Sequence, residues 1–171
     1  MLRFVIVVIM LSVTRMYSQE SKFTASVLDI EDPLLHRNEV IALTERLIFL
    51  IEQTDQFVLL DRTATTKILQ EQGFQQSGCT SGECAVEVGQ LLGVQKMISG
   101  KIGAVGKYYT ISLRIVDVTT GKIEKSASHD LMGNVEDVLL TGLRDAVKML
   151  TSNETVTEVV AKDPKVSKSP L

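Results

Sequence analysis

The sequence is poor in the residue types that build metal and nucleophilic sites. Its 171 residues include only two cysteines, Cys79 and Cys84, and two histidines, His36 and His129. A two-cysteine metal site would lack partners, and redox pairs usually read Cys-x-x-Cys. Neither histidine has a serine or cysteine partner in a recognisable catalytic pattern, so both are interpreted as surface residues. We therefore expect neither a catalytic residue nor a metal site, in a protein that is not an enzyme.

The chain also lacks an apolar run long enough to span a bilayer, which takes about 20 residues. Phe4–Val13 is a short apolar stretch after a basic start, and the more polar Thr14–Ser18 follows it. This pattern predicts a secretory signal peptide over residues 1–18, cleaved after Ser18, then a short linker over 19–23. The alternative, a buried N-terminal strand, is disfavoured by Arg15 and the polar run at 19–22. We expect a periplasmic protein, without an attached lipid because no cysteine lies near the junction.

There is no excess of basic residues. Lys and Arg number 18 against 21 Asp and Glu, and removal of residues 1–18 takes away Arg3 and Arg15. This acidic balance does not favour nucleic acid or anionic lipid as a partner, although peripheral contact with a membrane stays open. The remaining length suits one domain with its own core.

Both cysteines lie in one segment, Gly78–Gly93, around a predicted helix start. Thr80-Ser81-Gly82-Glu83 fits a capping box, and apolar residues follow at helical spacing. Within one helix, residues five positions apart point about 140° apart, so a bond requires Cys79 in the loop and Cys84 in the first helical turn. In an exported chain the segment predicts one structural disulfide. Free thiols and a metal or redox pair are the alternatives.

Hydrophobic periodicity predicts an α/β (α+β) fold in the order β-α-β-α-α-β-β-β-α. The apolar run Phe57–Leu60 favours a central, covered strand, whereas alternation over Tyr108–Val118 indicates a half-solvated antiparallel strand. We expect the first two strands to pair in parallel, the last three to form an antiparallel meander, and the helices to pack mainly on one face of one mixed sheet. Residues 151–171 are polar and predict a disordered tail. The predicted strands are 24–30, 57–60, 96–104, 108–118 and 123–130, and the predicted helices are 38–53, 64–72, 83–92 and 135–150.

Three segments carry a family resemblance: Val27-Leu28-Asp29, Phe57–Arg62 and Cys79–Gly93. Together they resemble the CsgG-like superfamily of bacterial envelope proteins, which includes the curli secretion component CsgG, the LpoB activators of penicillin-binding proteins and the N-terminal domain of TolB. The resemblance covers about residues 24–150. It implies an α/β domain that works by protein–protein contact in the periplasm, with no cofactor and no catalytic residues.

The sequence departs from CsgG itself. CsgG-type pores are lipoproteins with amphipathic insertions that become membrane hairpins, whereas this chain has neither a lipobox cysteine nor a long alternating insertion. We therefore do not expect a self-made secretion pore. The missing lipid site also weakens direct transfer of the activator role. Curli-like secretion and peptidoglycan synthesis both remain open as pathways.

Several motifs have a functional and a plain interpretation. Asp29, Glu31 and Asp32 offer carboxylates for a divalent cation or acid–base work, but a solvated turn is favoured. A phosphate-binding loop would require glycines between a strand and a helix, whereas those of this chain lie in a strand that enters a hairpin, so close packing and turn geometry are favoured. These glycines are Gly100, Gly103 and Gly106.

Asp61-Arg62, after the second strand, is interpreted as a buried ion pair or helix cap rather than a binding site. Tyr108, Tyr109 and Arg114 are residue types typical of interfaces and form the candidate interface. The leading hypothesis is a periplasmic adaptor or assembly component that binds an envelope protein or copies of itself. The alternative is a periplasmic small-ligand-binding domain. A polar pocket near residues 29–32 would favour the alternative, and an exposed apolar patch free of pockets would favour the adaptor.

Overall fold

The computed structural model describes residues 22–33, 35–73 and 82–152. Its last helix consists of three consecutive pieces, which we call together the C-terminal helix. The predicted order of strands and helices is confirmed. The elements are β1 (Phe23–Val27), α1 (Arg37–Gln53), β2 (Phe57–Leu59), α2 (Arg62–Glu71), α3 (Gly82–Leu92), β3 (Lys96–Val105), β4 (Tyr108–Asp117), β5 (Ile123–Met132), α4 (Val135–Asp137), a π-helical piece (Val138–Gly142) and α5 (Leu143–Thr151).

The strands form one mixed sheet in the order β2-β1-β3-β4-β5. β1 pairs in parallel with both β2 and β3, and β3, β4 and β5 form the expected antiparallel meander. The central position expected for β2 is wrong, because β2 is an edge strand and Val58 is 54% exposed. The apolar run has two packing partners. Phe57 and Leu59 pack against one core, and Leu60, the residue after β2, packs against the other.

The helices divide between the two faces of the sheet, which differs from the expected packing mainly on one face. Adjacent residues of a strand point to opposite faces. On β3, Ile98 joins a core with α1 and the C-terminal helix, whereas Met97 joins a smaller core with α2 and α3. Val27, the last residue of β1, joins the larger core, and Leu28, the next residue, joins the smaller one. Both faces of the parallel part of the sheet are apolar and are covered by helices, as is usual for parallel strands.

Local signals place the element ends close to where the sequence predicts them. Asn134 caps the C-terminal helix by accepting from the Asp137 N–H, and the Asp137 carboxylate accepts from the Asn134 N–H, both at 3.0 Å. Gly73 and Gly93 follow α2 and α3 with φ of 71° and 67°, values that glycine adopts without strain. Among the described residues, no helix is long and apolar enough to cross a bilayer.

Some predictions fall on residues that the structure does not describe. These are the signal peptide at 1–18, the linker up to residue 21, the tail beyond residue 152 and Cys79. Cys84 lies in the first turn of α3, as predicted, and packs against the smaller core. Because Cys79 is outside the described residues, the Cys79–Cys84 disulfide stays a prediction.

Candidate functional site

The first candidate surface is the part of β3, β4 and β5 that faces away from α1 and the C-terminal helix. From these three strands, the smaller core on this side takes only Met97, on β3, and Val116, on β4. Farther along the strands, this side is formed by polar residues and a few large apolar ones. We call this surface the open sheet face; its exposed members are Lys101, Val105, Tyr108, Thr110, Arg114, Ser126, Ser128, Asp130 and Met132.

Three apolar side chains form one row across the end of the open sheet face. Val105 is paired with Tyr108, and Tyr108 is paired with Met132. Their exposed fractions are 81%, 61% and 67%. Directly opposite residues on neighbouring strands lie on the same face and contact each other. We call this row the tip patch, since it lies beside the turn at Gly106 and Lys107.

The register of the hairpin explains the tip patch and corrects the candidate interface. Tyr108 and Arg114 are both on the open sheet face, six residues and roughly 20 Å apart along β4. Tyr109 points to the other face and packs against the larger core, so it does not belong to this surface. Val105 and Met132 were not predicted as members of this surface, because β3 and β5 continue one and two residues beyond their predicted ends.

Charged side chains occupy the middle of the open sheet face. Glu31 continues the sheet after β1: its N–H donates to the Gly100 carbonyl and its carbonyl accepts from the Ile102 N–H, both at 2.9 Å. Burial raises the pKa of Glu31, although the positive charges of Lys101 and Arg114 act to lower it. The backbone of Glu31 therefore pairs within the sheet, and its carboxylate does not belong to an acidic cluster.

The second candidate surface is a cavity of about 440 Å³ between α1 and α2, at the carboxyl ends of β1 and β2. Arg62 lies in its lining, 2.8 Å from Asp29 and 2.5 Å from Glu45. Asp61 caps α2 by accepting from the Ala64 N–H at 3.0 Å. The predicted helix cap is confirmed at Asp61, whereas the ion pairs of Arg62 are with Asp29 and Glu45 and are partly exposed, so the expected buried pair is not found.

The three carboxylates after β1 do not converge. Asp29 pairs with Arg62, Glu31 lies in the sheet, and Asp32 accepts from the Leu35 N–H at 3.0 Å. In the described parts of the chain, no group of three or more histidine, cysteine or acidic residues could hold a metal ion. The solvated turn expected for these residues is wrong for Glu31, which pairs with β3, and Asp29 is held in a partly buried ion pair.

The glycines of β3 and its turn have separate structural roles. A Cβ on Gly100 would lie 3.1 Å from Leu113 and 3.2 Å from Ile30, so Gly100 allows close packing. Gly106 has a φ of 61° at the first position of the two-residue turn, which a type II′ hairpin requires. Packing and turn geometry are confirmed at these two positions, whereas a Cβ on Gly103 would meet nothing within 4 Å.

The histidines are far apart in the fold and belong to different elements. His36 precedes α1, and its backbone N–H donates to Glu39 at 2.7 Å. His129 lies on β5, with Nε2 3.9 Å from a carboxylate oxygen of Asp145. Neither lies on the open sheet face or lines the cavity.

Comparisons with known proteins agree with this geometry. The family profile described as Peptidoglycan-synthase activator LpoB matches residues 40–129, just over half of the chain. The LpoB C-terminal domain from Salmonella enterica is 15% identical, with a TM-score of 0.54 over 70% of this chain and 91% of that one. The corresponding domain from Escherichia coli is 14% identical, with a TM-score of 0.53 over 71% and 92%.

Lipoprotein GNA1162 from Neisseria meningitidis is 16% identical, with a TM-score of 0.53 over 72% of this chain and 92% of that one. At these identities the solved structures establish the fold alone. No curated protein matches the sequence. The resemblance to the CsgG-like superfamily, with LpoB among its members, is confirmed. The profile match shows that this chain belongs to the LpoB family of peptidoglycan-synthase activators.

Proposed function

We propose that this protein is a non-enzymatic interaction domain of the periplasm that binds a peptidoglycan synthase and raises its activity. The family match over residues 40–129 carries this proposal. An activator acts by contact and needs a surface that a partner can cover. A nucleophile, a base and a metal are not required for that role.

The open sheet face is the surface that best fits such a partner. Its tip patch presents three exposed apolar side chains in one row, surrounded by hydroxyls and charges. Apolar cores with polar rims are typical of protein interfaces, and aromatic residues and Met are enriched in them. Tyr108 occupies the centre of the row, where an anchoring side chain contributes most to binding.

Reconstituted glycan-strand synthesis tests the proposal. The synthases of the native host would be purified and supplied with fluorescent lipid-linked substrate, with and without this protein. We expect a faster rate and a direct complex with at least one synthase. Light scattering of the protein alone would report self-assembly in the same preparation.

A matched pair of variants tests the surface. Tyr108→Ser/Met132→Ser removes two exposed apolar groups from the tip patch, and Val58→Ser/Phe49→Ser removes two from β2 and α1, where the exposed fractions are 54% and 48%. We expect the first pair to weaken synthase binding at least tenfold, and the second to leave it unchanged. Equal effects would exclude the tip patch, and absence of any synthase complex would refute the function itself.

A further inference from the structure

We propose that the cavity between α1 and α2 binds a small organic anion through Arg37 and Lys67. The cavity shares no residue with the open sheet face. A site there would be a second, independent function of the domain.

The cavity lies where the topology opens a crevice. β1 is flanked by β2 on one side and β3 on the other, and α1 and α2 lie on opposite faces of the sheet. The crossovers that leave β1 and β2 therefore diverge at the carboxyl ends of these strands. In open α/β sheets, ligands bind in the crevice at such a switch point.

The charge balance of the cavity leaves two cations available. Arg62 is held by Asp29 and Glu45, so these three groups together carry a net charge of −1. Arg37, on α1, and Lys67, on α2, also line the cavity. Neither has an ion-pair partner in the described part of the chain, and both are exposed. An anion would therefore meet two unpaired cations in a lining whose ionisable residues carry a net charge of +1.

The helix ends themselves are not the source of this positive charge. Asp61 occupies the N-cap of α2, and Glu39 accepts from the backbone N–H that precedes α1. These carboxylates already satisfy the positive end of each helix dipole. The attraction for an anion thus comes from the two side chains, which substitution can remove without uncapping a helix.

Size and neutral groups restrict the class of ligand. A volume of about 440 Å³ is within the range of small-molecule sites and is far more than an inorganic ion fills. Thr63, Thr66 and Gln70 add hydroxyl and amide hydrogen-bonding groups, and Ile41 adds an apolar wall. The geometry therefore fits an organic anion with a polar body and with carboxylate or phosphate groups that can reach both cations.

The experiment titrates the native full-length protein, as processed by its own cells, with two anions and a neutral control. Citrate represents carboxylates, pyrophosphate represents phosphates, and sucrose carries no charge. Binding is followed by isothermal titration calorimetry, and the site is located by amide chemical shifts at an ionic strength of about 0.15 M, where long-range attraction is screened. We expect one anion to bind and to shift amides of α1 and α2, and sucrose not to bind.

Two charge-matched variants decide the outcome. Arg37→Gln/Lys67→Gln should weaken binding at least about tenfold, because each charge-assisted contact contributes substantially. Lys107→Gln/Lys122→Gln removes the same net charge from two exposed turns elsewhere and should change affinity less than about twofold. Whichever anion binds more tightly identifies the ligand as a carboxylate or a phosphate.

Three results would overturn the proposal: equal weakening in both variants, amide shifts confined to other elements, or no binding of either anion at about 10 mM. Circular dichroism of each variant would confirm that it is folded. Loss of synthase activation is not a readout here, so the proposed function can fail or succeed independently.

Discussion

At the scale of single residues, Lys96 is the least exposed charge in the described chain. Its side chain is 6% exposed, and its Nζ lies 2.8 Å from both Asp117 and Glu124 and 4.6 Å from the centre of the Phe23 ring. The two carboxylates are 24% and 46% exposed. This ion cluster joins β1, β3, β4 and β5 at one end of the sheet. Its members are not equivalent, because only the cation is deprived of water.

We predict that removing the cation costs less than removing its partners. Lys96→Met keeps the apolar stem and leaves two carboxylates that water can reach, so we expect destabilisation within about 1 kcal/mol. Asp117→Asn/Glu124→Gln leaves a buried ammonium with neutral acceptors only, and we expect a larger loss than in Lys96→Met. Urea unfolding at pH 7 measures both. A larger loss in Lys96→Met would refute the asymmetry.

The pKa of Asp117 also predicts how the stability of the protein depends on pH. The hydrogen bond from Lys96, followed by those from Thr120, lowers the pKa of Asp117 from 3.8 to about 2. Between these values the unfolded chain binds more protons, so stability falls as pH falls. This contribution is complete above about pH 5 and is lost through pH 2. We expect the melting temperature of Asp117→Asn to decline less steeply than that of the wild type between pH 5 and 2; parallel profiles would contradict the assignment.

At the scale of elements, α3 illustrates how one missing side chain sets the distance between a helix and the sheet. Gly89 is buried in the middle of α3, where glycine is otherwise unfavourable. A Cβ there would lie 2.4 Å from Cγ2 of Val118 and 2.9 Å from Cγ of Met97. Val118 is buried and stiff at χ1, so it has little room to move.

We predict that Gly89→Ala destabilises the protein by about 1–2 kcal/mol. Overpacking costs about 1–3 kcal/mol, and the higher helix propensity of alanine returns about 1 kcal/mol at most. Gly82→Ala is the matched control in the same helix, because a Cβ at Gly82 would meet nothing within 4 Å. The control should be neutral or slightly stabilising. If both variants had the same stability, the close approach of α3 would not be the cause.

Element types could be predicted from the sequence because local signals agree with each other. The cap at Asn134, the stops at Gly73 and Gly93 and the alternation along β4 all act within a few residues. The position of β2 could not be predicted, since its apolar pattern is the same at an edge flanked by helices as at the centre of a sheet. The π-helical piece Val138–Gly142 was not predicted either. A Cβ on Gly142 would lie 2.6 Å from Ile111, a long-range contact without a local signature.

The candidate surfaces also contain features that local sequence signals predict and features that depend on distant residues. The helix cap at Asp61 depends on a residue three positions away, and it was predicted, whereas the ion-pair partners of Arg62 are Asp29 and Glu45, which lie far from it in the sequence. The tip patch depends on the register between three strands, and the cavity depends on two helices on opposite faces. Neither the register nor the placement of the helices can be predicted from one contiguous segment of the sequence. Single-sequence patterns therefore found Tyr108 without Val105 and Met132, and Arg62 without Arg37 and Lys67.

At the scale of the whole molecule, the sheet has two regions with different neighbours. The parallel part, β2-β1-β3, is covered by helices on both faces and ends at the cavity. The antiparallel part, β3-β4-β5, is packed by helices along one face and carries the open sheet face on the other. β3 belongs to both parts, so it is the element through which the two surfaces would be coupled if they were coupled at all.

We predict that the two surfaces act independently. β3 is held on both sides by regular backbone pairing, with β1 on one side and with β4 on the other. Coupling requires an element with two arrangements between which a ligand can select, and the structure shows one register for β3. Arg37→Gln/Lys67→Gln should therefore leave synthase binding within about twofold of the wild type, and Tyr108→Ser/Met132→Ser should leave anion binding within the same limit. A double-mutant cycle that combines all four substitutions should be additive to about 0.5 kcal/mol. A larger coupling energy would mean that the cavity and the tip patch belong to one allosteric system, in which an anion regulates binding of the synthase.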